Sequence, residues 1–115
     1  MRVTTDLFVS ALVRRIFAAG GFAAVVKRGA TEAGAVFVIA RGRLGDASLY
    51  GPAPQTSYDE SRPDERRFTP MNQGDDAAAL DRRLEKEARF DPDVWIVEVE
   101  AGDTPVEELI PVVAA

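Results

Sequence analysis

The sequence contains no cysteine and no histidine. Their absence removes disulfide staples, thiol nucleophiles, imidazole general bases and the usual zinc ligand sets. Serine catalysis would need Ser10, Ser48, Ser57 or Ser61 activated by Lys27 or Lys86, and no S-x-x-K spacing occurs. A two-carboxylate acid–base mechanism has no distinguished pair among the 19 acidic residues. No apolar run approaches the roughly 18 residues that span a bilayer. The apolar stretch Leu7 to Phe17 follows Asp6 and is interrupted by Arg14 and Arg15, without a small-residue cleavage pattern, so a cytoplasmic protein is expected.

What is present suffices for a core. Val, Leu, Ile and Phe make 30 of the 115 residues, above the roughly 20% floor below which disorder is the default. A chain of this length buries about 65% of its unfolded surface and suits one domain, residues 1–115. The net charge is −5, with the bases gathered in the first third and the acids in the last. That asymmetry marks either an interaction surface or two ends that meet and neutralise one another, the second being the simpler case.

Apolar periodicity over Leu7 to Ala19, stopped by Gly20-Gly21, predicts a first helix. Its polar stripe of Asp6, Ser10 and Arg14 is narrow, so more than half its circumference is expected to be buried. Phe22 to Arg28 and Gly34 to Arg41 predict two strands joined by a hairpin loop, and the unbroken run Val36 to Ile39 predicts a central strand covered on both faces. Ala47 to Tyr50 adds a third strand of a meander. The proline-rich segment Gly51 to Glu65 predicts a long loop, followed by an edge strand at Arg66 to Thr69. Gly74 to Arg89 carries Ala77, Leu80, Leu84 and Ala88 on one stripe of an amphipathic helix. Val94 to Glu100 predicts a strand with Trp95, Val97 and Val99 on one face, and Thr104-Pro105 starts a short C-terminal helix halted by Pro111.

In order and spacing, Ser10 to Arg15, Ala19-Gly20-Gly21-Phe22-Ala23, Gly29 with Ala33 to Val36, Leu49-Tyr50-Gly51-Pro52 with Tyr58-Asp59, and Arg89 to Trp95 form a fairly specific set. Over residues 6 to 100 the chain resembles a family of alphaproteobacterial proteins of about this length, defined by a domain of unknown function. The resemblance implies a bacterial cytoplasmic protein and transfers no catalytic residue.

Each candidate site has a simpler structural counterpart. Asp91-Pro92-Asp93 has D-x-D spacing for a hard cation, but a helix exit into a strand explains it better. Gly20-Gly21 ends a helix, where the dipole is negative, and so fits a C-cap better than a phosphate cradle. Trp95 fits a core position better than a ligand patch. The bases Arg2, Arg14, Arg15, Lys27, Arg28, Arg41 and Arg43 would have to converge to bind nucleic acid, which the acidic total charge disfavours. Tyr58, Arg62, Arg66 and Arg67 around the proline-rich loop form the best ligand-binding candidate, a guanidinium cluster for a phosphate or carboxylate, although four acids share the same window.

These readings converge on an α+β domain: an antiparallel sheet of about four or five strands packed with two main helices, in the order α-β-β-β-(β)-α-β plus a short C-terminal helix. Two covered faces and only two helices raise the expectation of a homodimer. The functional expectation is a non-enzymatic binding or protein-interaction module with an unknown protein partner, working through the 51–67 loop and an adjoining sheet edge. The alternative is a small enzyme or anion-ligand protein using the Arg/Tyr cluster. No cofactor, metal or membrane association is indicated.

Overall fold

The structure, a computed structural model, describes residues 3–42, 44–53 and 66–112, with side chains set aside at 72–75. Helix α1 (Thr5–Ala18) is opened by Thr4, whose hydroxyl accepts from the Leu7 amide at 3.3 Å. It closes in a Schellman motif: the Gly20 amide donates to Phe17 O, the Gly21 amide to Ile16 O, and Gly20 takes the left-handed φ of 82° that only glycine adopts cheaply. The Gly-Gly pair is thus the expected C-cap.

Strands β1 (Phe22–Lys27), β2 (Val36–Arg41), β3 (Asp46–Pro52) and β4 (Phe68–Asp76) precede helix α2 (Ala77–Phe90), strand β5 (Trp95–Glu100) and the short α3 (Val106–Leu109). The expected α+β class and element order are present. The sheet is five-stranded and mixed, in the order β1-β5-β2-β3-β4, antiparallel throughout except for β5 beside β2.

One expected pairing is corrected. β1 and β2 reverse direction as a hairpin would, but they are not neighbours, because β5 lies between them. The turn signals at Gly29 and Gly34 report a reversal and carry no information about a strand that arrives sixty residues later. The eight-residue connection instead crosses the entrance of β5: Ala30 N donates to Asp93 O at 3.0 Å, Trp95 N to Ala35 O at 2.7 Å, and Trp95 Nε1 to Ala30 O at 2.8 Å. A Cβ at Gly29 or Gly34 would collide with the Asp93 carbonyl oxygen, so the crossing requires glycine at both places.

The two main helices lie on opposite faces. Val9, Leu12 and Ile16 of α1 pack with α3 over Val36, Val38, Trp95, Val97 and Val99, while Leu80 and Leu84 of α2 pack over Phe37, Ile39, Leu49 and Ile96. β2 is therefore buried on both sides, as its unbroken apolar run predicts. Because the chain covers both faces itself, the stated reason for expecting a second subunit does not hold. The buried stripe of α1 is also narrower than its pattern predicts, since Leu7 and Phe17 are exposed. Asp91-Pro92-Asp93 is the expected helix exit, with the Asp93 amide donating to Asp91 Oδ1 at 3.1 Å. No helix among the described residues is long and apolar enough to cross a membrane.

Leu12→Ala and Leu84→Ala each empty a fully packed site and should cost about 2–5 kcal/mol. Lying on opposite faces in separate clusters, the two losses should add to within about 0.5 kcal/mol in urea denaturation.

Candidate functional site

The strand order leaves β1 and β4 as edges, and the two are treated differently. β4 carries Pro70, which has no amide to offer, and its first residue is covered: Phe68 N donates to Pro111 O at 2.7 Å beside a bridge to Val112. β1 has no such cover among the described residues, and it exposes apolar side chains, with Phe22 at 49% and Val26 at 58%. A register shift between Val25 and Lys27 ends its regular pairing. The Lys27 ammonium turns inward, donating to Pro92 O at 2.6 Å and Val94 O at 3.0 Å.

Helix α1 flanks this edge. Its Phe17 meets Phe22 edge-to-face at 5.6 Å. Further along, α1 and β1 enclose a cleft of about 300 Å³ with a floor of Val9, Val13, Val25 and Trp95 and a rim of Asp6, Ser10, Arg14 and Arg28. Trp95 is fully buried and serves the core, as its strand pattern predicts. The Arg28 guanidinium carbon lies 4.9 Å from the centre of the Trp95 ring, while Nη2 donates to Asp6 Oδ1 at 3.0 Å. This ion pair is largely solvated and contributes little to stability. An apolar floor, a mixed polar rim and a free strand edge suit the binding of a side chain or a strand.

The candidates from the proline-rich loop are divided by the structure. Tyr58 and Arg62 lie outside the described residues. Arg67 O accepts from Ala53 N at 2.9 Å, extending the β3–β4 hairpin. Arg66 faces inward: Nη1 donates to Gly34 O at 3.2 Å, Nη2 to Thr5 Oγ1 at 2.6 Å, and the guanidinium lies 5.4 Å from the Phe8 ring centre. Thr5 is fully buried and its hydroxyl donates to Gly34 O at 3.1 Å. Arg66 thereby fastens the start of β4 to the N-terminus of α1.

The N-terminal bases are spent across the fold. Arg15 Nη1 donates to Leu109 O at 2.7 Å, and Arg41 bridges Glu98 and Asp81. Burial works against the Arg41 charge, but its bonds to Asp81 and Glu98 outweigh this and hold its pKa above the ordinary value. Burial, followed by a hydrogen bond to Glu107 at 2.7 Å, pushes the Tyr50 phenol well above its usual 10.0. Among the described residues no cluster of three acidic side chains is placed to hold a metal ion.

The sequence does not reveal the α1–β1 edge, because Phe22 to Val26 reads as one arm of a hairpin with β2, and an apolar run does not show which strand lies beside it. The signal was the Asp6, Ser10 and Arg14 stripe, which lines the cleft rim.

A family model described as "Protein of unknown function (DUF1491)" matches residues 3–106. Among solved structures, the chain is similar to the solution structure of protein Atu0922 from A. tumefaciens, at 47% identity and a TM-score of 0.84, covering 100% of this chain and 98% of that one. It is also similar to the crystal structure of a DUF1491 family protein from Caulobacter crescentus, at 36% identity and a TM-score of 0.78, covering 96% of this chain and 99% of that one. An NMR structure of a family protein from the same species gives 35% identity and a TM-score of 0.77, with 98% coverage of both chains. No curated protein matches.

Arg66→Ala removes both donors from Thr5 and Gly34 and should cost about 1–3 kcal/mol. Arg66→Lys should recover only part of it, since an ammonium lacks the planar fork. Raising the phenol's pKa makes the folded state hold its proton longer than the unfolded state, so stability should fall as pH rises above about 10. Thermal melts should show that fall in the wild type and a shallower one in Tyr50→Phe.

Proposed function

The chain belongs to the DUF1491 family, and we propose that it is a non-enzymatic interaction module that presents the α1–β1 edge to another polypeptide. The observation that carries this reading is the contrast between the two sheet edges. β4 is covered at Phe68 by the C-terminal segment and interrupted at Pro70, whereas β1 holds Phe22 and Val26 in solvent next to an apolar-floored cleft. A free strand edge offers unpaired amides and carbonyls, and exposed apolar side chains on it supply the driving force for pairing. Exposed apolar side chains on such an edge are a hazard that a partner covering them removes. The residues lining the cleft fit recognition better than turnover: an acid paired with Arg28, a serine with no imidazole available anywhere in the chain, and an exposed Arg14.

A photo-crosslinking amino acid placed at Val26 in bacterial cells should give discrete protein adducts. The same probe at Leu44, which is 95% exposed on a turn between β2 and β3, should give none. Adducts at Leu44 with none at Val26 would remove the assignment.

A further inference from the structure

We infer that the strand received by the β1 edge is β1 of a second copy of this chain, the two pairing antiparallel about a twofold axis into one continuous sheet; the inference rests on the α1–β1 edge being the working surface. Three features select this occupant. The first is charge. The distal end of β1 is basic, with Arg28 largely exposed, while its proximal residue Phe22 lies beside the exposed Glu100 of β5, with exposed Asp103 beyond. Antiparallel self-pairing brings the Arg28 end of each copy to the Glu100 end of the other, so one complementary contact is made twice.

The second feature is geometry. Directly opposed residues of an antiparallel pair share a face, so the axis must fall on a residue; on Ala24, small and near the middle of the strand, it sets Arg28 of each copy opposite Gly20 of the other, beside Gly102 and Asp103. The irregularity after Val25 limits the pairing to a short stretch and so fixes its register. Pairing of β1 with β4 would instead propagate without closing, and the cover on Phe68 together with Pro70 opposes it.

The third is area. Half-exposed Phe17 and Phe22 offer roughly 200 Å² of apolar surface between them. Val25 and Val26, on the two faces of the same strand, bring the apolar surface along this edge to roughly 300 Å². Doubled across a twofold axis this gives roughly 600 Å², the apolar share of an interface of about 1,000 Å², which is the lower limit for a specific association.

Light scattering coupled to size exclusion over a concentration series tests the assignment. The wild-type chain should reach twice the chain mass, and Phe22→Lys/Val26→Lys, both at exposed positions, should remain at the chain mass with unchanged far-UV circular dichroism. Leu44→Lys/Phe90→Lys, which alters exposed apolar residues elsewhere, should still dimerise. A charge swap keeps the test decisive if the lysine pair fails to fold: Arg28→Glu and Glu100→Arg should each weaken self-association about tenfold, and the double variant should recover most of it. A wild type that stays at the chain mass at every concentration, a lysine pair that folds and still dimerises, or a double charge variant no better than the singles would overturn the inference. A monomeric wild type whose Val26 probe still captures a different protein would overturn this inference and leave the interaction module standing.

Discussion

Everything distinctive about this molecule depends on β5 taking the place between β1 and β2. Had β1 paired with β2 and β5 lain on its other side, β1 would be an interior strand. With β5 inserted, β1 is displaced to the margin and the connection at residues 28–35 must bridge two strand spacings, about 10 Å. It does so by passing over the entrance of β5, held through Ala30, Ala35, Asp93 and the Trp95 indole. The same crossing supplies the N-terminus of α1, because Thr5 N and Asp6 N donate to Glu32 O and Thr31 O. One topological choice therefore sets the position of α1, the cleft over Trp95 and the exposed edge.

Much of this architecture was legible in the residues. The Gly20-Gly21 stop, the four-residue apolar run of β2, the Leu80/Leu84 stripe of α2 and the alternation of β5 each point to one local structure, and each is present. Strand adjacency was not legible, because a Gly-bounded reversal looks the same whether the next strand pairs at once or leaves a gap. The apolar excess of Phe22 to Val26 then had two explanations, burial inside a sheet or exposure at its edge. Only the strand order separates them.

The candidate site was less legible for a related reason. Arginines near a proline-rich loop advertise anion binding, yet an arginine is equally suited to fastening carbonyls inside a fold, and Arg66 does this through Gly34 and Thr5. Bases of the first third of the sequence are likewise drawn to carbonyls contributed from the last third, as Arg15 with Leu109 and Lys27 with Pro92 and Val94 show. Among the exposed apolar side chains, those of β1 lie on a strand edge, and that edge is where the proposed interaction is placed.

The central claim is that β1 is an open edge which becomes covered by association, and residue-resolved amide hydrogen exchange followed against protein concentration tests it most directly. The account predicts that Val97 and Val99 in β5 exchange slowest at every concentration, while the outward amides of β1 exchange freely in dilute solution and slow as concentration rises. Exchange along β1 that stays the same from dilute to concentrated solution would contradict it.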